Sequence, residues 1–416
     1  MKQRIRFWRQ FYLSILSQAV SLVSQVIVLS EVYRSTDLIS INQALLLFSL
    51  GQSLTFLDFG SNAAVIRSSA FFHSTKDSTH LNEIVSVVRR LALISIVYLS
   101  ILLLLYIYVD VIRIYLIYIT FIISSNFLNL FINILRGFGS VTIATFTNSA
   151  PLLLVAIIAV LVDEGVHPQF FPISTIAFGC IYGLCAFLFF RNKFQVLDLG
   201  FKNMRLNLRS LISDALCGFK VSINFWIYQL CFVIFLNFDR FVTLSDDDQL
   251  RSYSPYIILF VGFMNLLWIA SSNHTVMLIH DQFSEDTKDK NNSKRLFRLG
   301  MVLAMSYPII SFFYVSQTLG VGEFSLGISL SFSLQIVLVS SLMNQMIYNS
   351  SSREISKNAK VYFILMSLHL ISSQYLVDLI GVLGSPLAMN FSTLVVYLSL
   401  RAHQLLELKR VEFRAK

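Results

Sequence analysis

The segment LDFGSNAAVIR, which ends at Arg67, places ionisable residues at the end of a long apolar run. A carboxylate at the centre of a bilayer costs roughly 2.5–3.5 kcal/mol on insertion scales, so Asp58 is expected to face protein or water. Asp58, Ser61 and Asn62 have the spacing of one helix face. Arg67 falls on the opposite face of an unbroken helix, so it either meets Asp58 through a bend at Gly60 or extends to the cytoplasmic surface. Asp58 is the predicted coupling or gating residue, and Asn62 and Arg67 are predicted to bind substrate.

A second polar pattern runs through the apolar segment FKVSINFWIYQLCFVIFLNFDR. Lys220, Asn224 and Tyr228 are four residues apart, which places them on one helical face. At 1.5 Å per residue, Lys220 lies about 14 Å into the run, near the middle of an apolar core of about 30 Å. This depth predicts that Lys220 and Asn224 line a polar cavity. Asp239 and Arg240 fall near the outer boundary, where they either anchor the helix end or act in gating.

The first apolar run carries a polar face opposite a face of Leu, Ile and Val. Its members follow helical spacing and are Ser14, Ser17, Gln18, Ser21, Ser24 and Gln25. Such a face either packs against another helix through small and polar residues or lines a wet cavity. The second interpretation makes Gln18 and Gln25 candidate substrate-binding residues.

Positive charge inside an apolar protein suits an anionic ligand, because Lys and Arg hold phosphate groups well. Three cations are candidates for this role: Arg67, Lys220 and Arg136, the last at the end of the run NLFINILRG.

These residues need membrane-spanning helices to position them. Of 416 residues, 56% are hydrophobic and 13% are charged, whereas soluble domains carry about 25% charged residues. Windows of about 19 residues predict twelve spanning helices. They lie near 11–32, 39–66, 85–109, 112–135, 140–162, 172–190, 212–242, 252–279, 297–316, 324–348, 359–378 and 385–406.

The distribution of Lys and Arg predicts the orientation of these spans. With the N-terminus in the cytoplasm, 27 of the 32 lysines and arginines fall in or next to cytoplasmic segments, and three fall outside. Both termini are therefore predicted to be cytoplasmic, and the net charge of +9 needs no nucleic acid to explain it. The longest polar loop divides the spans into two sets of six. The predicted fold is an all-α polytopic membrane protein with two pseudo-symmetric six-helix bundles, 1–198 and 199–416, around a central cavity.

Sequence signatures of enzymes are absent. The chain contains no HExxH, P-loop, GxSxG or GxGxxG pattern, and its four cysteines have no metal-ligand spacing. We therefore predict a protein without catalytic residues, metal or cofactor, apart from a coupling ion, H⁺ or Na⁺.

Twelve spans in two halves, with LDFGSNAAVIR in the second and NFDRFVTLSDDDQLRSYSPYIILF around the seventh and eighth, resemble the O-antigen flippases (Wzx). These proteins belong to the multidrug/oligosaccharidyl-lipid/polysaccharide exporter superfamily. The resemblance implies movement of an undecaprenyl-pyrophosphate-linked oligosaccharide across the bacterial inner membrane by alternating access. It assigns family positions to Asp58, Arg67, Asp239, Arg240 and Tyr253. The implied partners are the lipid-linked glycan, the bilayer, and the polymerase and chain-length regulator of the same pathway.

Two other functions compete with the flippase prediction. A small-molecule or drug exporter of the same superfamily shares the fold, although its cavity would need acidic and apolar residues more than a lysine. A membrane polysaccharide polymerase usually carries a sizeable outside loop, and the predicted outside loops of this chain are all short.

Overall fold

A computed structural model describes residues 2–34, 38–53, 58–108, 113–161, 167–189, 208–243, 247–282, 293–319, 324–351 and 355–415. The regular structure of these ranges is helical, and they contain no strand. The α-helices are α1 (Lys2–Arg34), α2 (Leu38–Ser53), α3 (Ser61–Thr75), α4 (Ser78–Tyr108), α5 (Arg113–Gly137), α6 (Val141–Leu161), α7 (Phe170–Phe189), α8 (Leu208–Thr243), α9 (Asp247–Gln282), α10 (Ser293–Phe312), α11 (Leu326–Ser351), α12 (Ile355–Ile380) and α13 (Gly384–Ala415). A π-helical segment, Phe313–Leu319, extends α10.

The all-α membrane fold is confirmed. Within the described residues, nine segments are long and apolar enough to cross a membrane by length and composition. Each predicted span overlaps at least one α-helix. The count of about twelve spanning helices is consistent with this arrangement, whereas the central cavity stays a prediction.

The prediction of a single helix over 39–66 is wrong. The helix α2 ends at Ser53 and α3 begins at Ser61. Phe59 and Gly60 have φ angles of 52° and 71°, in the left-handed region that a right-handed helix cannot contain. The Asp58 side chain binds the main-chain N–H groups of the turn, which offers the backbone an alternative to helical hydrogen bonds.

The chain divides into two compact units. The first unit is Met1–Leu230 with Ser272–Lys288, and the second is Cys231–Ser271 with Asp289–Lys416. Two long helices belong to both units, because α8 passes from the first to the second at Leu230 and α9 returns at Ser272. The predicted bundle boundary at 198/199 falls among residues that the structure does not describe, and it stays a prediction.

The two units have different cores. In the first, α3 packs on α4 and α5, α5 packs on α7, and α1 packs on α6. In the second, α10 packs on α11, and α13 packs on α11 and α12. The centre of the second unit is aromatic, and a cluster of rings in mutual contact, each at most 1% exposed, consists of Tyr253, Phe260, Phe263, Tyr307 and Phe332.

Candidate functional site

The break between α2 and α3 is built around the carboxylate of Asp58, which is fully buried. The Gly60 N–H donates to Oδ1 at 2.8 Å, and the Asn62 N–H donates to Oδ2 at 3.0 Å. The first N–H groups of a helix have no partner within the helix, so a carboxylate at this position satisfies them. Asp58 therefore caps α3 and stabilises the left-handed turn through Phe59.

The guanidinium of Arg90, from α4, holds the other side of this turn. Its Nη2 donates to the carbonyl O of Phe59 at 2.8 Å and to the Oγ of Ser61 at 2.5 Å. The carbonyl O of Asp58 lies 3.5 Å away. Arg90 is only 2% exposed, and its charge attracts the Asp58 carboxylate. Its Nε and Nη1 have no hydrogen-bond partner among the described residues.

Arg90 is not among the site residues that the sequence predicts. The charge distribution places it with the cytoplasmic lysines and arginines, whereas the structure buries it in the first unit. Its position in the apolar run IVSVVRRLALI is the signal that could have identified it, since a cation surrounded by aliphatic residues needs an internal partner.

The turn lies against the backbone of α8. A Cβ at Gly60 would lie 2.5 Å from the main-chain N of Trp226 and 2.6 Å from the carbonyl O of Ser222. A second close approach lies one turn earlier on α8, where a Cβ at Gly218 would come within 2.7 Å of the carbonyl O of Ser86. Both contacts require glycine, because any side chain would collide with main-chain atoms.

Aromatic rings surround these close approaches. The ring centroids of Phe59 and Trp226 lie 5.3 Å apart, and Tyr98 of α4 stacks on Phe59 at 6.3 Å. The guanidinium carbon of Arg90 lies 5.9 Å from the ring centroid of Phe219. The charged side chains of the turn, Asp58 and Arg90, are buried beside these rings, and burial strengthens their electrostatic interactions.

Arg136, at the end of α5, is a second buried cation of the first unit. It is 5% exposed, and its Nε and Nη2 have no hydrogen-bond partner among the described residues. Asn133 and Asn126, three and ten residues earlier, lie on the same side of α5, and the Oδ1 of Asn133 and the Nδ2 of Asn126 are likewise buried without a partner among the described residues. Buried polar groups are normally hydrogen-bonded, so this face of α5 can accept water or a polar ligand.

The other predicted residues of α3 and α8 lie in mixed environments. Arg67 is half-buried, with its guanidinium 5.0 Å from the ring centroid of Phe71. Asn62 and Asn224 are half-buried. Lys220 is exposed, next to the exposed ring of Phe219. Their predicted roles in substrate binding stay predictions.

The polar face of α1 contributes to helix packing at one position at least. The Oγ atoms of Ser17 and of Ser149 on α6 lie 2.5 Å apart. Gln18 is buried and Gln25 is half-buried, so the role of these two amides in substrate binding stays a prediction.

The predicted residues of the segment NFDRFVTLSDDDQLRSYSPYIILF lie in two helices, α8 and α9. Tyr253 is completely buried in the second unit, and its OH lies 2.6 Å from the Oγ of Ser385. Asp239 and Arg240 belong to α8, but their side chains lie outside the described residues. Their gating role, like the coupling role of Asp58, stays a prediction.

Comparisons with known proteins identify the fold. No family model and no curated protein matches the sequence. A multidrug resistance MATE family transporter of the MOP superfamily, in an outward-facing conformation, is similar in structure, with a TM-score of 0.66, 13% identity and coverage of 94% of this chain and 93% of that one. A MOP superfamily transporter from Pyrococcus furiosus, described as having a binding pocket of reverse polarity, has a TM-score of 0.67 and 14% identity, with 96% of this chain and 94% of that one covered. A eukaryotic MATE transporter has a TM-score of 0.66 and 11% identity, with 97% of this chain and 96% of that one covered. The chain has a MATE-like fold.

Proposed function

We propose that this protein is a multipass membrane transporter that exports small organic molecules by alternating access. The observation that carries the proposal is the match of nearly the whole chain to transporters, among them a protein described as a multidrug resistance transporter. Because identity is 11–14%, this likeness supports the transport class, and the chemistry of the substrate is argued from the buried residues.

The buried charges favour substrates with anionic or polar groups. Among the described residues, the charged side chains below 9% exposure are Asp58, Arg90 and Arg136, so cations outnumber anions. Both Asp58 carboxylate oxygens already accept main-chain N–H groups. Arg136 retains unpartnered N–H donors, which suit a carboxylate, sulfonate or phosphate group.

A second candidate is translocation of a lipid-linked anionic glycan, such as one carried on undecaprenyl pyrophosphate. The same buried arginines favour it, since a pyrophosphate carries more negative charge than a single carboxylate or sulfonate and guanidinium groups bind phosphates bidentately. This candidate places the protein in the bacterial cytoplasmic membrane with both termini cytoplasmic. Its partners would be the polymerase and the chain-length regulator of the pathway.

Transport in proteoliposomes separates the two candidates. Vesicles with an imposed proton or sodium gradient are supplied with a fluorescent organic anion, a cationic dye or a labelled lipid-linked pyrophosphate glycan. The export proposal predicts gradient-driven movement of the organic anion, and movement of the glycan alone would establish the second candidate. No movement of any of the three would contradict both.

The variant Arg136→Gln tests the proposed site. We expect at least a tenfold loss of kcat/KM for the anionic substrate, because the guanidinium would no longer meet its negative group. The matched control is Arg113→Gln, which removes the same charge from an exposed position at the start of α5. Equal losses in the two variants would exclude a direct role for Arg136.

A further inference from the structure

We infer that the turn between α2 and α3 is a releasable joint that docks the first half of α8 in one transport conformation and frees it in the other. The joint consists of Asp58–Gly60 in the turn, Arg90 of α4 and Gly218–Trp226 of α8. This inference rests on the proposed function, because it assumes that the protein alternates between conformations.

The joint has an unusual composition for a permanent helix contact. Two consecutive residues, Phe59 and Gly60, have left-handed φ angles, and Phe59 has a side chain that disfavours this conformation. The strain is balanced by the Asp58 cap and by the Arg90 hydrogen bonds to the turn. A strained turn that persists only because its surroundings determine it is typical of switch regions.

The contact with α8 combines close backbone approach with the ring contact between Phe59 and Trp226. Gly60 meets the α8 backbone at Ser222 and Trp226, and Gly218 meets the α4 backbone at Ser86. In the proposal this contact is either docked or undocked, because a small separation would lose both close approaches together. Bistable contacts of this kind are what conformational transitions use.

The course of α8 explains why this joint would control the transition. Its residues through Leu230 belong to the first unit, and its residues from Cys231 belong to the second. Movement of one unit relative to the other must therefore bend α8 near Leu230 or release its first half from the joint. The α8 sequence between Gly218 and Leu230 contains no proline or further glycine that would favour a bend.

The test links the two sides of the joint covalently. Phe59 and Trp226 are replaced by cysteine in a chain whose four native cysteines, Cys180, Cys185, Cys217 and Cys231, are serine. The two native rings contact each other with centroids 5.3 Å apart, so a short bifunctional methanethiosulfonate can join the two thiols through reducible disulfides. We expect cross-linking to lower transport at least tenfold and reduction to restore it. Full transport by completely cross-linked protein would overturn the inference.

The matched control joins two helices that stay together in the proposal. Ser311→Cys with Ser329→Cys links α10 to α11 within the second unit, where the native Oγ atoms lie 2.6 Å apart and both residues are fully buried. We expect this cross-link to leave transport unchanged. An equal loss in the control would show that any cross-link stops the protein, which would overturn the assignment to the joint.

A second measurement requires no transport and separates failure of the joint from failure of the proposed function. Ser222→Cys and Ser329→Cys, both at fully buried positions, are labelled in membranes with N-ethylmaleimide. A releasable joint predicts labelling at Ser222→Cys at least tenfold faster than at Ser329→Cys, and faster still after Arg90→Gln. Equal labelling of the two cysteines, with or without Arg90→Gln, would overturn the joint whatever the protein transports.

Discussion

The interiors of the two units bury different kinds of polar side chains. Among the described residues, the first unit buries the charged side chains Asp58, Arg90 and Arg136. The second unit buries neutral groups that join its helices, such as the Gln335 Nε2 donating to the Thr393 Oγ1 at 2.9 Å and the Asn390 Nδ2 donating to the Ser331 carbonyl at 2.9 Å.

We infer from this difference that the second unit is the more rigid of the two and that the first unit is the one suited to conformational change. Neutral hydrogen bonds cost little to bury once paired, and each one stabilises a single arrangement of the helices. Buried charges are stable only while their partners are in place, so a movement that separates them carries a large free-energy change. We therefore expect the second unit to tolerate substitution better than the first, and the following predictions test that difference.

The largest expected effect is the loss of Arg90. Arg90→Met would remove the charged donor of the hydrogen bonds to the Phe59 carbonyl and the Ser61 Oγ. Hydrogen bonds to a charged group contribute about 1.5–3 kcal/mol each, so we expect a loss of about 3–6 kcal/mol. Equilibrium unfolding in mixed micelles measures this free energy.

The matched substitution in the second unit is Gln335→Met, which also replaces a buried polar side chain by methionine. It removes one neutral hydrogen bond, and Thr393 keeps its own bond to the Met389 carbonyl, so we expect a cost of about 1 kcal/mol. Equal costs for the two variants would contradict the contrast between the units.

The sequence was sufficient for the fold and for part of the charged turn. Hydropathy and charge distribution predicted the helices, because lipid requires apolar segments of a fixed length. Asp58 was identified because a carboxylate in an apolar run is costly. A bend at Gly60 is one alternative that the sequence leaves open, but the full break at Phe59 and the partnership with Arg90 do not follow from it, because the first depends on side-chain capping and the second joins residues 32 positions apart. No pattern along the chain specifies which distant cation satisfies a given turn.

An intermediate effect is expected at the glycines with left-handed backbones. Gly60→Ala combines a left-handed alanine, about 1–2 kcal/mol, with collision against α8, about 1–3 kcal/mol, for a total of about 3 kcal/mol. Gly381→Ala in the second unit has a φ of 66° but no atom within 4 Å of the added Cβ, so only the first cost applies. Unfolding free energies of both variants isolate the close approach to α8. A Gly60→Ala variant no less stable than Gly381→Ala would mean that α8 is not docked on the turn.

The smallest effect is expected for a single neutral hydrogen bond of the second unit. Tyr253→Phe removes the hydroxyl that lies 2.6 Å from the Oγ of Ser385, and Ser385→Ala removes its partner. Double-mutant cycles on hydrogen bonds between membrane helices average about 0.6 kcal/mol, so the coupling energy of this pair should be of that size. The same cycle on Asp58→Asn and Arg90→Gln should give a coupling several times larger, because both side chains are charged and buried. If the coupling energy of Tyr253 and Ser385 equals that of Asp58 and Arg90, the polar contacts of the two units contribute equally to stability. The contrast between the units would then be wrong.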